Sequence, residues 1–236
     1  MTTQITEPAR ATQTRTRSIH ARRLGGLLTV PAVAGLAYTA SWLAGLAVSP
    51  SSTNVHSSGA EVVAGYAGHE AAGATQFLLT EGTASLALAV VAIAIGRVGL
   101  HAGAGRAARL TLGAGVAAAA IALVQCALGL YLTLSVVPAD HVSTAAALTE
   151  TVNRLDGVKM FVLATMAAAG AVMARRTGIL PRWLRWTAVA LVIAIIASGI
   201  GYALLSNTFA LAAWASLPLL LVWVTGTGIA LGRSRA

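Results

Sequence analysis

Apolar residues gather in six long runs, roughly 24–48, 75–96, 110–136, 157–174, 186–206 and 209–231, and the stretches between them hold nearly all the charge. None of the runs alternates with the period of two that marks a half-buried strand, and each approaches the ~20 residues a helix needs to cross ~30 Å of hydrocarbon. A backbone in lipid must satisfy its own hydrogen bonds, so the pattern predicts an all-α, six-transmembrane-helix bundle. The same constraint explains why Pro31 and Pro218 are tolerable inside runs. Small residues recur four apart, as at Gly35/Thr39, Gly115/Ala119 and Ala197/Gly201, where they let helices approach closely.

The connections divide the chain. Residues 1–23 are polar, poor in acid and aperiodic, and read as a disordered basic cytoplasmic tail. Residues 24–231 form the transmembrane domain, and 232–236 a short cytoplasmic tail. The first run is longer than the 7–15 apolar residues of a signal peptide and is therefore read as a retained span. Two connections are long, 49–74 and 137–156. Within the first, "SPSSTNVHSSG" reads as a flexible loop. Within the second, "STAAALTETVNRLDGVK" reads as helix, with Glu150 and Arg154 spaced for an i, i+4 ion pair. That helix either runs on into the fourth span or lies on the membrane surface. A tight turn near Asn207 makes the fifth and sixth spans antiparallel neighbours.

Composition narrows the class. Only 10% of residues are charged and mean hydropathy is +0.78, whereas a soluble domain carries about 25% charge. The net charge of +9 is not a nucleic-acid footprint, because the basic residues are scattered at the ends of apolar runs. Their placement sets direction instead. Fourteen arginines, including Arg22, Arg23, Arg97, Arg109, Arg175, Arg185 and Arg233, fall in one set of connections, against Arg154 and Lys159 in the other. The positive-inside rule then puts both termini in the cytoplasm, the bilayer is the main partner, and the N-terminal arginines are placed to meet anionic headgroups. The preference for Arg over Lys and the abundance of Ala suggest a GC-rich bacterial genome, and hence a bacterial inner membrane. The single cysteine, Cys126, excludes an intramolecular disulfide and a C-x-x-C redox site.

Two patches carry a resemblance. The loop "ARRTGILPRWLRW", residues 174–186, contains Arg176-x-Gly178-x-Leu180-Pro181-Arg182-Trp183-Leu184, and "AGHEAAGATQFLL" places a His-Glu pair just before the second span. Both resemble a family of uncharacterised six-helix bacterial integral membrane proteins. The resemblance implies the fold and carries no active-site residues with it. The loop also has a purely structural reading: Gly178 ends one helix, Pro181 suits the start of the next, and Trp183 and Trp186 sit at headgroup level.

Candidate chemistry lies at one depth. Counted from the arginine at the end of each span, Glu81, Gln125 and Lys159 all lie 16 residues away, about 24 Å along a helix. The same count reaches Thr39 beside Tyr38, Gly201 beside Tyr202, and Leu217 between Ser216 and Pro218. An unpaired charge at a span centre costs roughly 2.5–3.5 kcal/mol, so Glu81 is expected to face inward and meet Lys159. Gln125 and a Tyr hydroxyl are expected nearby, and Asp156 can share the lysine from i−3. Glu70 either continues a stripe of acid down to Glu81, 11 residues on, or caps its helix.

Two readings of this layer stay open: a ligand, ion or proton site, or a pair that fixes helix register. His69, Glu70 and His141 are weak metal-ligand candidates, since no H-E-x-x-H is present, and no metal or cofactor is expected. No nucleophile elbow, phosphate loop or dinucleotide fingerprint appears. The leading expectation is transport or sensing of a small molecule or ion through an outward-facing polar layer. The alternative is a non-catalytic accessory protein acting through partner proteins, and an intramembrane enzyme ranks third because no nucleophile–base pair supports it.

Overall fold

A computed structural model describes residues 29–49 and 54–233. The basic tail, the start of the first run, residues 50–53 and the last three residues lie outside the described residues. The expectations of a disordered tail and of headgroup contacts by its arginines fall there.

The described chain is helical, and six of its helices are long and apolar enough to cross a bilayer, as expected of a multi-pass membrane protein. In chain order these are α1 (Val30–Val48), α3 (Glu70–His101), α4 (Gly105–Val136), α5 (Val142–Thr177), α6 (Arg182–Ala203) and, after a short helix α7 (Asn207–Ala210), α8 (Ala213–Arg233). A further short helix, α2 (Gly59–Tyr66), stands outside the spans.

The ends of these helices follow from local chemistry. Pro31 occupies the first turn of α1, where its missing N–H is no loss. Gly178 takes φ 70° and closes α5, its N–H donating to the Ala174 carbonyl at 3.0 Å. That left-handed cap costs a glycine nothing. Pro181 then precedes the first turn of α6. Between them Leu180 and Leu184 are buried, while Trp183 and Trp186 are 52% and 73% exposed. Those exposures suit rings at headgroup level.

The spans form a closed ring in sequence order. α1 packs on α3, α3 on α4, α4 on α5, α5 on α6, α6 on α8, and α8 returns to α1. The seam between first and last is made by small residues: Gly35 lies against Thr225, and Gly228 against Pro31. Thr225 Oγ1 donates to the Gly35 carbonyl at 2.7 Å and sits 2.7 Å from Thr39 Oγ1. The half of the ring nearer the arginines is solid. Val91, Ile95, Met166, Met173, Leu184, Leu191, Ile195 and Trp223 fill it, each almost fully excluded from solvent.

The structure decides between the two readings of the connection 137–156. The residues from 142 to 156 do not lie on the membrane surface. They continue the fourth span as one helix of 36 residues, about 54 Å long. The Glu150–Arg154 pair forms at 2.8 Å on its protruding end, with both side chains more than half exposed. Arg154→Ala is therefore expected to change unfolding free energy by no more than about 0.5 kcal/mol, read by denaturant titration in detergent.

The long connection 49–74 also contains α2, which begins where the stretch read as a loop ends. Ser58 and Glu61 form a reciprocal capping box, and the Ser58 N–H holds the Glu61 carboxyl below the usual carboxylate range. Val62, Val63 and Tyr66 bury against Leu132, Val136 and Ala145. Gly59 lets α2 rest directly on the Val142 carbonyl of α5.

Candidate functional site

Glu81 sits in a stretch of π-helix, Leu78–Thr83, inside α3. There the hydrogen bonds run i→i+5, and the extra residue per turn re-aims the side chains. Nearby hydroxyls bond the loosened carbonyls: Thr80 to Gln76 at 2.9 Å, Thr83 to Leu78 at 3.1 Å and Ser85 to Gly82 at 2.7 Å. This geometry settles Glu70. The stripe from Glu70 to Glu81 assumes 3.6 residues per turn throughout, and the π turn breaks that phase. Glu70 instead begins α3, its Oε1 accepting the Gly68 N–H at 2.9 Å.

Lys159, 5% exposed, extends from α5 and donates to Glu81 Oε2 at 2.7 Å. The same Nζ lies 2.8 Å from Asp156 Oδ1. One ammonium thus holds two carboxylates from two helices, across 78 residues of sequence in the case of Glu81. The acid and the base were placed together from depth alone. Gln125 shares that depth but turns to another partner. It is fully buried, but its Nε2 donates to the Val152 carbonyl at 3.0 Å, seven residues along α5 from Lys159. Its height on α4 matches Glu81, since Cys126 Sγ approaches to 3.3 Å of where a Gly82 Cβ would stand. Depth fixes height but not azimuth, and residue 125 points to a different neighbour than residue 126.

The triad forms part of the wall of a cavity of about 780 Å³. Its floor, at Leu88, Ala118 and Leu163, rests on the solid half of the ring. Tyr38, Trp42 and Leu46 line it from α1, Gln76 and Thr80 from α3, Thr149 and Asn153 from α5, Tyr202 from α6, and Trp214, Ser216, Leu217 and Leu220 from α8. The rim lies at the end away from the arginines, where Asn54, Asn207, Leu211 and Trp214 are exposed. Leu217, which the 16-residue count reaches, and Tyr38, Tyr202 and Ser216, which stand beside its positions, share this wall with Glu81 and Lys159.

Trp42, Asn153, Gln76 and Trp214 were missed. Trp42 stands four residues beyond Tyr38 and Asn153 three before Asp156, so helical spacing from either known member would have found them. Two shielded atoms of the wall, Gln76 Oε1 and Thr149 Oγ1, have no hydrogen-bond partner within the protein.

The weak metal candidates do not gather. His69 Nδ1 lies 3.2 Å from the Ala67 carbonyl, Glu70 accepts the Gly68 N–H, and His141 precedes the first turn of α5. Among the described residues no three His, Cys, Asp or Glu side chains stand close enough to hold a metal ion. No family model, curated protein or solved structure matches this chain.

Proposed function

We propose that the chain is a bacterial inner-membrane protein with both termini in the cytoplasm, and that it binds a small molecule in its cavity for transport or sensing. The resemblance to six-helix bacterial membrane proteins belongs to the same reading. The observation that carries it is the union of volume and charge. A cavity of about 780 Å³ falls within the 300–1,000 Å³ usual for ligand sites, and its wall holds an ammonium between two carboxylates. A pair needed only for helix register would be expected in a packed interior. Among the described residues, the buried side chains of the solid half of the same ring include no charged one.

Orientation supports the direction of access. The arginines crowd the end opposite the rim, so the positive-inside rule turns the rim outward. Cysteine reporters at Ser57 and Ser143 are expected to label with an impermeant maleimide on intact cells, and those at Ala104 and Thr177 only after lysis. Labelling of Thr177 on intact cells overturns the orientation.

Binding is tested by thermal unfolding of purified protein against a panel of ions and metabolites, since a ligand of the folded state raises apparent stability. A concentration-dependent rise is expected with at least one panel member, and it should shrink in a folded Glu81→Gln/Lys159→Met variant, which replaces two of the three charged groups of the wall. No rise anywhere in the panel, or an equal rise in that variant, overturns the reading.

A further inference from the structure

We infer that the cavity selects an organic cation: one protonated amine on an apolar or aromatic body. The inference rests on the cavity reading above and names its ligand class.

Charge is the first argument. With both carboxylates ionised, Glu81 and Asp156 share the single ammonium of Lys159, and the wall is one positive charge short of neutral. Lys159 engages one oxygen of each carboxylate and leaves the other oxygen of each outside that contact. Asp156 is the more accessible of the three, its side chain 21% exposed against 11% for Glu81 and 7% for Lys159. An arriving ammonium therefore meets a carboxylate first and the lysine last, whereas an anion would have to pass Asp156 to reach Lys159.

The second argument is the rest of the wall. Tyr38, Trp42, Tyr202 and Trp214 bring four aromatic side chains to one cavity. Aromatic faces attract cations, and the attraction strengthens when water is excluded. A bare metal ion would need a close shell of six or more oxygens, which a cavity of this size with leucine and tryptophan walls does not build. The rim points the same way. Trp214 and Leu211, 82% and 64% exposed, would pass an apolar body more readily than a sugar or a hydrated salt.

The test is calorimetric titration of the full chain in lipid nanodiscs with three probes of one shape: 2-phenylethylammonium, 2-phenylethanol and phenylacetate. The ammonium should bind about tenfold or more tightly than the alcohol, and phenylacetate should bind most weakly. Asp156→Asn should remove that tenfold preference and leave the alcohol unchanged. Trp42→Leu should weaken the ammonium and the alcohol together. Tighter binding of the alcohol or of phenylacetate, or an ammonium affinity that Asp156→Asn leaves intact, overturns the cation assignment while the cavity reading stands. Silence from the ammonium, with any neutral or anionic member of the metabolite panel binding, does the same. Silence from all three probes and from the whole panel overturns both.

Discussion

Lys159→Met is expected to destabilise the protein by about 3–5 kcal/mol, because it leaves two carboxylates facing each other without their shared cation. Glu81 would bear most of the loss, being 8% exposed, while Asp156 keeps some access to water from the cavity. Glu81→Gln/Lys159→Met removes both members of the buried pair and should recover most of the stability, leaving only the better solvated Asp156. Denaturant titration of the three proteins in one detergent measures this directly. A Lys159→Met variant as stable as the parent would mean that the pair carries no buried charge. The double variant also separates the two readings of the layer. A structural pair predicts a stable protein that binds whatever the panel identifies as tightly as the parent does, and a binding site predicts a stable protein that binds it more weakly.

The second large effect belongs to packing. Gly157 lies on α5 next to Asp156, and a Cβ there would stand 2.7 Å from the Ala203 amide nitrogen and 2.9 Å from its Cα. Those are backbone atoms of α6, so no rotamer change relieves the clash. Gly157→Val is expected to cost about 3 kcal/mol or more. It should also push α6 away from α5, and with it Tyr202 away from the cavity wall. The control is Gly113→Ala on α4, where a Cβ meets nothing within 4 Å and the change should be neutral or stabilising by up to about 1 kcal/mol. Thermal unfolding and gel filtration of the two variants side by side check the contrast. Equal stability would show that α5 and α6 are not held at the separation described.

What the sequence disclosed divides along physical lines. The spans were legible because lipid demands length and hydropathy, and both are written locally. The Glu81–Lys159 pair was legible because a lone charge in hydrocarbon is costly and because rise per residue converts sequence into depth. Gln125 shows the limit of that conversion, since rotation about the helix axis is set by packing that no single span encodes. The π turn at Leu78–Thr83 leaves no mark of composition, and it broke the phase on which the Glu70 stripe depended. The helix α2 was legible from the Ser58–Glu61 spacing of a capping box, which stands where the Ser-rich stretch ends.

The order of the ring has a consequence for biosynthesis. Glu81 and its countercharge are separated by 78 residues, which the ribosome adds in roughly 4–16 s at 5–20 residues per second. The second span therefore leaves the ribosome, and is offered to the insertion machinery, before its lysine exists. The hydroxyls of Thr80, Thr83 and Ser85 travel on the same span, already bonded within their own helix, and need no later partner. Only the acid must wait. Its nascent span has to be sheltered until α5 arrives, and the seam of Gly35 and Thr225 closes only when the last span follows. A chain arrested between the fourth and sixth spans would carry its ion pair complete and its ring open.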